Sequence, residues 1–275
     1  MSGLKRRTLS EGQVADFQRD GFLIVRKFLS QVETSEIKRV FMEINSEGPV
    51  AGLSEIGAHY KKEDPLSFYP RMMHPHRHPD KTVGPLAMQY MLHPKVGDTL
   101  HDLFEEEAIA VQSMFYFKPP GARGQELHQD NYYLRVKPGT CMAAWLAVDD
   151  ADEENGGICI VPGSHDQDIA CPQQADTTVS FTSDYVPVPE GRSRVPANMK
   201  AGDMLFFNGS VIHGSTPNIS KDRFRCAFIC HYVPGSSAEM SHHYSPKFDF
   251  DGKNVDMKGN EDGGPCGTME PSSPH

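Results

Sequence analysis

The second half of the chain is a series of short apolar or alternating segments separated by turn residues, and this pattern constrains the fold most strongly. Six such segments can be read, at 108–117, 127–136, 141–150, 157–162, 204–209 and 225–233. Strands of this length, bounded by Gly, Pro, Asn and Asp, are typical of a β-sandwich or barrel. The sequence therefore predicts a β core over residues 108–235.

The N-terminal 107 residues have a different pattern, in which apolar residues recur at helical spacing. Ser10 is placed to cap a helix over 9–19, a buried strand follows Gly21 at 22–29, and Ser30 or Thr34 is placed to cap a second helix that ends near Glu43. Apolar positions within 84–107 suit two helices separated near Pro94. These residues predict a helical buttress against the β core.

Two further segments are polar and poor in apolar anchors. Residues 46–82 are rich in Gly, Pro and His and predict a long loop or lid. Residues 251–275 are rich in Gly, Asp and Pro and predict a flexible tail. We therefore expect one domain over residues 1–250, mainly β with flanking helices, followed by that tail.

Charge and composition limit the partners of the chain. The net charge is −10, from 27 Lys and Arg against 37 Asp and Glu, which argues against nucleic acid or an anionic membrane as the main partner. The N-terminus has no apolar signal region and no apolar run is long enough to span a bilayer, so we expect a cytoplasmic protein. The six cysteines form no Cys-x-x-Cys pair, which indicates reduced thiols. No pattern indicates an oligomeric state.

The sequence His128-Gln129-Asp130 lies within one of the predicted strands, and His213 follows the segment at 204–209. Because side chains alternate along a strand, His128 and Asp130 would face the same way and could bind one ion. Two imidazoles and one carboxylate with open positions are typical of non-haem Fe(II) that activates oxygen. A His-x-Asp pair by itself is more often structural, so the prediction depends on the strand before it and on His213.

An arginine near the start of the last predicted strand could bind a carboxylate co-substrate. By alternation Arg225 faces the barrel interior, where a lone cation would be costly, so a carboxylate partner is expected. Arg223 has the same parity and is the alternative anchor. Other polar clusters are weaker metal candidates, namely His74, His76 and His78 with Asp80 in a Pro-interrupted segment, and the pair His242-His243.

Four stretches resemble the phytanoyl-CoA dioxygenase family of Fe(II)/2-oxoglutarate oxygenases, and together they cover nearly the whole chain except the tail. They are GQVADFQRDGFLIVRKFLS at 12–30, FKPPGARGQELHQDNYYL at 117–134, WLAVDDADEENGGICIVPGSH at 145–165 and AGDMLFFNGSVIHGSTPNISKDRFRCAFICHY at 201–232. The interval between His213 and Arg225 is one residue longer than the family's commonest pattern, which keeps Arg223 open as the anchor.

The resemblance implies a double-stranded β-helix, also called a jelly-roll or cupin-like barrel, with His128, Asp130 and His213 as iron ligands. It implies a salt bridge from the anchor arginine to the distal carboxylate of 2-oxoglutarate and a hydrogen bond from the hydroxyl two residues after the metal histidine. The implied cofactor-binding residues are Arg225, Ser215, Trp145, Gln112 and Tyr116.

The implied activity is hydroxylation of a small-molecule metabolite with Fe(II), 2-oxoglutarate and O2, releasing succinate and CO2. Because Asp130 is present, where related halogenases lack the carboxylate, we expect hydroxylation or another oxidation and not halogenation. Two alternatives stay open at this point. One is a cupin-type metalloenzyme that does not use 2-oxoglutarate, and the other is a non-catalytic small-molecule binding protein on the same barrel.

Overall fold

The computed structural model describes residues 5–55 and 63–260 and is built mainly from β-strands. The helices are α1 (Glu11–Asp20), α2 (Gln31–Asn45), α3 (Pro65–Phe68), α4 (Val83–Met91), α5 (Pro94–Phe104) and α6 (Asn131–Leu134). The longer strands are β1 (Phe22–Val25), β3 (Ala108–Tyr116), β4 (Gln125–His128), β5 (Met142–Ala147), β6 (Ile158–Ile160), β10 (Met204–Asn208), β11 (His213–Ser215) and β12 (Ala227–Pro234). The shorter ones are β2 (Met72–Met73), β7 (Gln173–Gln174), β8 (Asp184–Tyr185), β9 (Val195–Pro196), β13 (Glu239–Ser241) and β14 (Lys258–Asn260).

Two antiparallel sheets form the jelly-roll core expected from the sequence. The larger sheet has the order β1-β10-β5-β12-β3-β2 and the smaller has the order β4-β11-β6-β9. Their inner faces pack on each other, with Trp145 and Leu205 of the larger sheet in one apolar cluster with Ile158 and Ile160 of the smaller. The two sheets stay separate among the described strands, so the core is an open sandwich and not a closed barrel.

The N-terminal helices cover the outer face of the larger sheet. Residues of α2, α4 and α5 share one apolar cluster with the outward-facing side chains of β3, β5, β10 and β12. The ring of Phe41 on α2 stacks on that of Phe115 on β3, with centroids 4.0 Å apart. The helices therefore bury a sheet face that would otherwise be exposed to water. Among the described residues, no helix is both long and apolar enough to cross a membrane.

The first two helices begin where their capping residues predict. Ser10 accepts a hydrogen bond from the backbone of Gln13, whose side chain accepts one in return from the Ser10 backbone. Ser30 and Glu33 form the same reciprocal pair at the start of α2, so the cap is Ser30 and not Thr34. The helix starts expected from the sequence are confirmed.

Three local expectations need correction. The strand expected over 127–136 ends at His128, because Asp130 has helical backbone angles and begins α6. The segment expected as a loop or lid at 46–82 contains α3 and an edge strand, β2, that pairs with β3; its residues 56–62 lie outside the described part. The segment assigned to a flexible tail includes β14, which pairs in parallel with β13, while its residues 261–275 also lie outside.

The cysteines also differ from the expectation of six reduced thiols. Cys141, Cys159, Cys226 and Cys230 are buried free thiols. Cys171, by contrast, is disulfide-bonded. A pairing of this kind depends on which distant segments the fold brings together, and spacing along the chain does not indicate it.

Candidate active site

Strand register, and not alternation along one strand, brings the predicted metal ligands together. His213 on β11 pairs directly with His128 at the end of β4, and the two imidazole centroids are 4.3 Å apart. Asp130 reaches the same point from the turn that follows β4. The side-chain ligand atoms of these three residues all lie within 4.8 Å of one another, and all three residues are buried.

Both imidazoles are held with one nitrogen facing the shared centre. The Nδ1 atom of His128 lies 2.8 Å from the carbonyl oxygen of Glu126, and that of His213 lies 3.0 Å from the carbonyl oxygen of Val211. A carbonyl accepts only, so each Nδ1 carries the proton and each Nε2 keeps its lone pair. Two neutral imidazoles and a carboxylate are the donor set that Fe(II) prefers in oxygenases. The residues present therefore fit a mononuclear iron.

The two oxygens of Asp130 face different partners. Oδ1 lies 3.5 Å from Nε2 of His128 and 3.6 Å from Nε2 of His213, whereas Oδ2 lies 2.9 Å from Nε2 of His231. Burial would raise the pKa of Asp130, but His213 and His231 hold it well below its ordinary value. The carboxylate is therefore ionised, His231 donates to Oδ2, and Oδ1 is left to face the metal position.

Replacing His231 with Leu is expected to weaken metal binding by about 10–100-fold, which is the usual cost of losing an outer hydrogen bond to a metal ligand. Equilibrium dialysis with Co(II) measures this directly. His231→Gln, which keeps an N–H donor, should retain most of the affinity, and wild-type affinity in His231→Leu would show that Asp130 does not need this partner.

A cavity with an empty volume of about 460 Å³, partly open to solvent, extends from the three ligands toward Arg225. The Arg225 guanidinium is 5.3 Å above the Trp145 ring, and its Nε donates to the carbonyl oxygen of Gly156 at 3.0 Å. Its Nη1 is buried without a hydrogen-bond partner among the described residues. Burial lowers the pKa of Arg225 to about 10, which reflects a cation that lacks a counter-ion.

Lys118 is a second buried cation beside Arg225, and the sequence analysis missed it. Its Nζ donates to Oγ of Ser215 at 2.8 Å, and burial followed by repulsion from Arg225 holds its pKa well below the ordinary value. A Cβ on Gly156 would lie 2.7 Å from Cε of Lys118, so only glycine leaves room for this side chain. Its place in the Lys-Pro-Pro-Gly turn directly after β3 was the available signal.

The remaining predicted site residues differ in their position relative to the cavity. Tyr116 lines the cavity, and its hydroxyl accepts a hydrogen bond from Nη1 of Arg71 at 2.9 Å. Gln112 is fully buried opposite His231 on β12 and lies next to the cavity without lining it. Arg223 lies near the surface, where it pairs with Asp152 at 2.8 Å and Glu154 at 2.7 Å. The geometry therefore places Arg225, and not Arg223, at the cavity.

Comparison with solved structures identifies the fold. SnoK, a non-haem α-ketoglutarate-dependent carbocyclase from nogalamycin biosynthesis, is 20% identical with a TM-score of 0.68, and the match covers 91% of this chain and 95% of SnoK. The epimerase SnoN from the same biosynthesis, solved with Fe3+, α-ketoglutarate and nogalamycin RO, is 19% identical with a TM-score of 0.66, over 83% of this chain and 84% of SnoN. The chain has the jelly-roll fold of these oxygenases.

Sequence comparison gives the family. The family model for phytanoyl-CoA dioxygenase matches residues 17–227, and the chain belongs to that family of 2-oxoglutarate-dependent oxygenases, whose cofactors are Fe(II), 2-oxoglutarate and O2. A phytanoyl-CoA dioxygenase domain-containing protein 1 homolog of Dictyostelium discoideum is 28% identical over 83% of this chain and 92% of its own length. Phytanoyl-CoA dioxygenase 1 of Oryza sativa subsp. japonica is 29% identical, over 58% of this chain and only 57% of the rice protein.

Proposed function

We propose that the protein is an Fe(II)- and 2-oxoglutarate-dependent hydroxylase of a small-molecule metabolite, with His128, Asp130 and His213 as the iron ligands. The observation that carries the proposal is the pair of buried cations, Arg225 and Lys118, that share one cavity with the three-ligand site. Neither cation forms an ion pair within the described residues, although burying an unpaired charge is costly. A dicarboxylate that reaches from the metal to these cations would compensate both charges.

Each residue of the cavity has a defined part in this proposal. Arg225 and Lys118 bind the distal carboxylate of 2-oxoglutarate, and the Ser215 hydroxyl donates a hydrogen bond to it. Trp145 carries the Arg225 guanidinium on its ring face and limits how far the guanidinium can move. Four apolar side chains that line the cavity exclude water from the space in front of the ligands. These residues are Met114, Ile158, Phe207 and Ile229.

When bound, the iron supplies the oxidation chemistry that couples decarboxylation of 2-oxoglutarate, to succinate and CO2, to oxidation of the substrate. His128, Asp130 and His213 would hold the iron through two neutral imidazoles and one carboxylate. The presence of the Asp130 carboxylate, which related halogenases lack, supports hydroxylation over halogenation. Of the two alternatives left open by the sequence, a cupin-type reaction without 2-oxoglutarate leaves both buried cations uncompensated, and a non-catalytic binding protein has no need of the complete ligand set.

Anaerobic titration of the apoprotein with Fe(II) and 2-oxoglutarate tests the proposal before any substrate is known. We expect the visible charge-transfer band of a chelated 2-oxoacid to appear in the wild type and to be lost in His213→Ala. His242→Ala, which removes an exposed histidine, serves as the matched control and should keep the band. Bound iron without the band would support the cupin-type alternative, and absence of metal binding would support the binding-protein alternative.

A further inference from the structure

A second group of buried polar side chains lies on the opposite side of Asp130 from Oδ1 and the two ligand histidines. It reaches Asp130 through His231, which lies on β12 six residues beyond Arg225. We call this group the Arg77 cluster, and its members are His74, His76, Arg77, His231 and Tyr244. His231 and Tyr244 are fully enclosed, whereas His74 and Arg77 are partly exposed. The cluster therefore has an inner end at the proposed metal ligand and an outer end that solvent can reach.

Every member of the cluster has a buried side-chain atom without a hydrogen-bond partner in the described part of the chain. These atoms are His74 Nδ1, His76 Nε2, Arg77 Nε, His231 Nδ1 and Tyr244 Oη. Folded proteins leave few such atoms, because each loses its hydration on burial without gaining a hydrogen bond in return. Five of them in one place indicate that the cluster is built to bind something polar.

The five side chains are close neighbours. The His74 ring centroid lies 5.9 Å from that of His76 and 6.3 Å from that of Tyr244. Burial, with the nearby charges of Arg77, His76 and His231, lowers the pKa of His74 to about 2. Burial, followed by the charge of Arg77, lowers that of His76 to about 3. Both rings are therefore neutral, and each can donate one N–H to a ligand.

Among the described residues, no carboxylate forms an ion pair with the Arg77 guanidinium. Within the described residues, the Arg77 guanidinium forms one hydrogen bond, from Nη2 to the carbonyl oxygen of His243 at 3.2 Å. Burial lowers the pKa of Arg77 to about 10. Lys247 is a second cation close enough to repel Arg77. Asp130 accepts from His231 at the inner end of the cluster and Asp256 acts on Lys247, so neither acid pairs with Arg77.

A metal ion does not explain these histidines. In the part of the chain that the structure describes, the one group of potential ligand atoms that converges within 4.8 Å is His128, Asp130 and His213. A cation would also be repelled by Arg77. An uncompensated guanidinium surrounded by neutral N–H and O–H groups is instead complementary to an anion with several acceptor oxygens.

We propose that the Arg77 cluster binds an acidic group of the substrate, with a carboxylate as the smallest group that fits this chemistry. The inference rests on the proposed function, because His231 places the cluster one imidazole ring away from Asp130. His231 also lines the cavity in front of the three ligands, so the carbon chain of an acid held there would extend along His231 toward that cavity. The cluster thereby determines which C–H bond of the substrate is presented for oxidation.

The test uses three small acids, acetate, hexanoate and phenylacetate, each compared with its primary amide. Calorimetry in the presence of saturating 2-oxoglutarate, which occupies the Arg225 side, measures binding of each probe to the full-length protein. We expect at least one acid to bind at least tenfold more tightly than its amide. Arg77→Gln should lower the affinity for that acid by about tenfold or more and leave the affinity for the amide unchanged. A parallel titration with methyl phosphate shows whether a phosphate group binds better than a carboxylate.

Three variants control for structural effects. Arg77→Lys keeps the charge and should keep part of the preference for acids. Tyr244→Phe removes only one hydroxyl and should lower the affinity for the acid less than Arg77→Gln does. Arg39→Gln removes an exposed arginine and should leave the affinity for the acid unchanged. The inference is overturned if none of the acids binds the wild type, if the amides bind equally well, or if Arg77→Gln binds acids as the wild type does.

A second measurement separates this inference from the proposed function. With Mn(II) added, the proton NMR lines of 2-oxoglutarate should broaden if it binds beside the metal, and the lines of the bound acid should broaden as well. Broadening of 2-oxoglutarate without an Arg77-dependent acid site would leave the proposed function standing and reject the acid site. Acid binding that depends on Arg77 without any broadening of 2-oxoglutarate would reject the proposed function alone.

Discussion

Replacing Asp130 with Ala is expected to abolish turnover and to weaken Fe(II) binding by more than about 100-fold, which exceeds the usual 10–100-fold cost of losing an outer partner. The carboxylate is the only anionic ligand in the proposed set, and its Oδ1 atom faces both ligand imidazoles. Its removal also leaves the buried Nε2 of His231 without an acceptor. Equilibrium dialysis for the metal and succinate release for turnover measure the two effects.

Asp16→Ala, which removes an exposed carboxylate on α1, is the matched control and should behave as the wild type. His128→Ala should resemble Asp130→Ala, since the two residues belong to the same ligand set. Tight Fe(II) binding in both Asp130→Ala and His128→Ala would show that the metal, if any, binds elsewhere, and the assignment of these residues would then be wrong.

Replacing Arg225 with Ala is expected to raise the dissociation constant for 2-oxoglutarate and to leave metal binding nearly unchanged. Loss of a buried charged anchor typically costs about 2–5 kcal/mol, which corresponds to roughly 30-fold to 5,000-fold in affinity. Lys118→Met should also raise the dissociation constant for 2-oxoglutarate, because both cations are proposed to bind its distal carboxylate. Fluorescence of Trp145, the only tryptophan of the chain and a neighbour of Arg225, offers a direct binding signal.

The chain contains its own control for this second experiment. Arg223→Ala removes an arginine two residues away that pairs with Asp152 and Glu154 at the surface, and it should bind 2-oxoglutarate as the wild type does. If Arg225→Ala keeps wild-type affinity while Arg223→Ala loses it, the anchor assignment must be reversed.

The class of the core and the helix starts could be read from local sequence. Strand lengths and turn residues after position 107 indicate paired β-sheets, and reciprocal capping by Ser10 with Gln13 and by Ser30 with Glu33 sets the beginnings of two helices. These features depend on residues within a few positions of each other. The strand that was expected to continue past His128 shows the limit of this reasoning, since an alternating pattern does not reveal where a strand turns.

The three residues of the proposed ligand set lie close together, but for a different reason from the one that the sequence indicated. Alternation along one strand was expected to align His128 with Asp130, whereas the pairing of β11 with β4 brings His213 beside His128 and a turn brings Asp130 to both. Register between strands that are distant in sequence depends on the packing of the whole sheet. It could not be read from the spacing of these residues.

The sequence by itself determined the family, the jelly-roll class and the residue types of the candidate site, because these are recorded in local patterns and in motifs of contiguous residues. Only the tertiary structure placed Arg225 at the cavity and Arg223 near the surface, brought Lys118 beside Arg225, and grouped Arg77, His231 and Tyr244 on the far side of Asp130. Burial and neighbouring side chains decide whether a charged side chain is a solvated surface group or an uncompensated charge. Both depend on segments 97 to 166 residues apart along the chain.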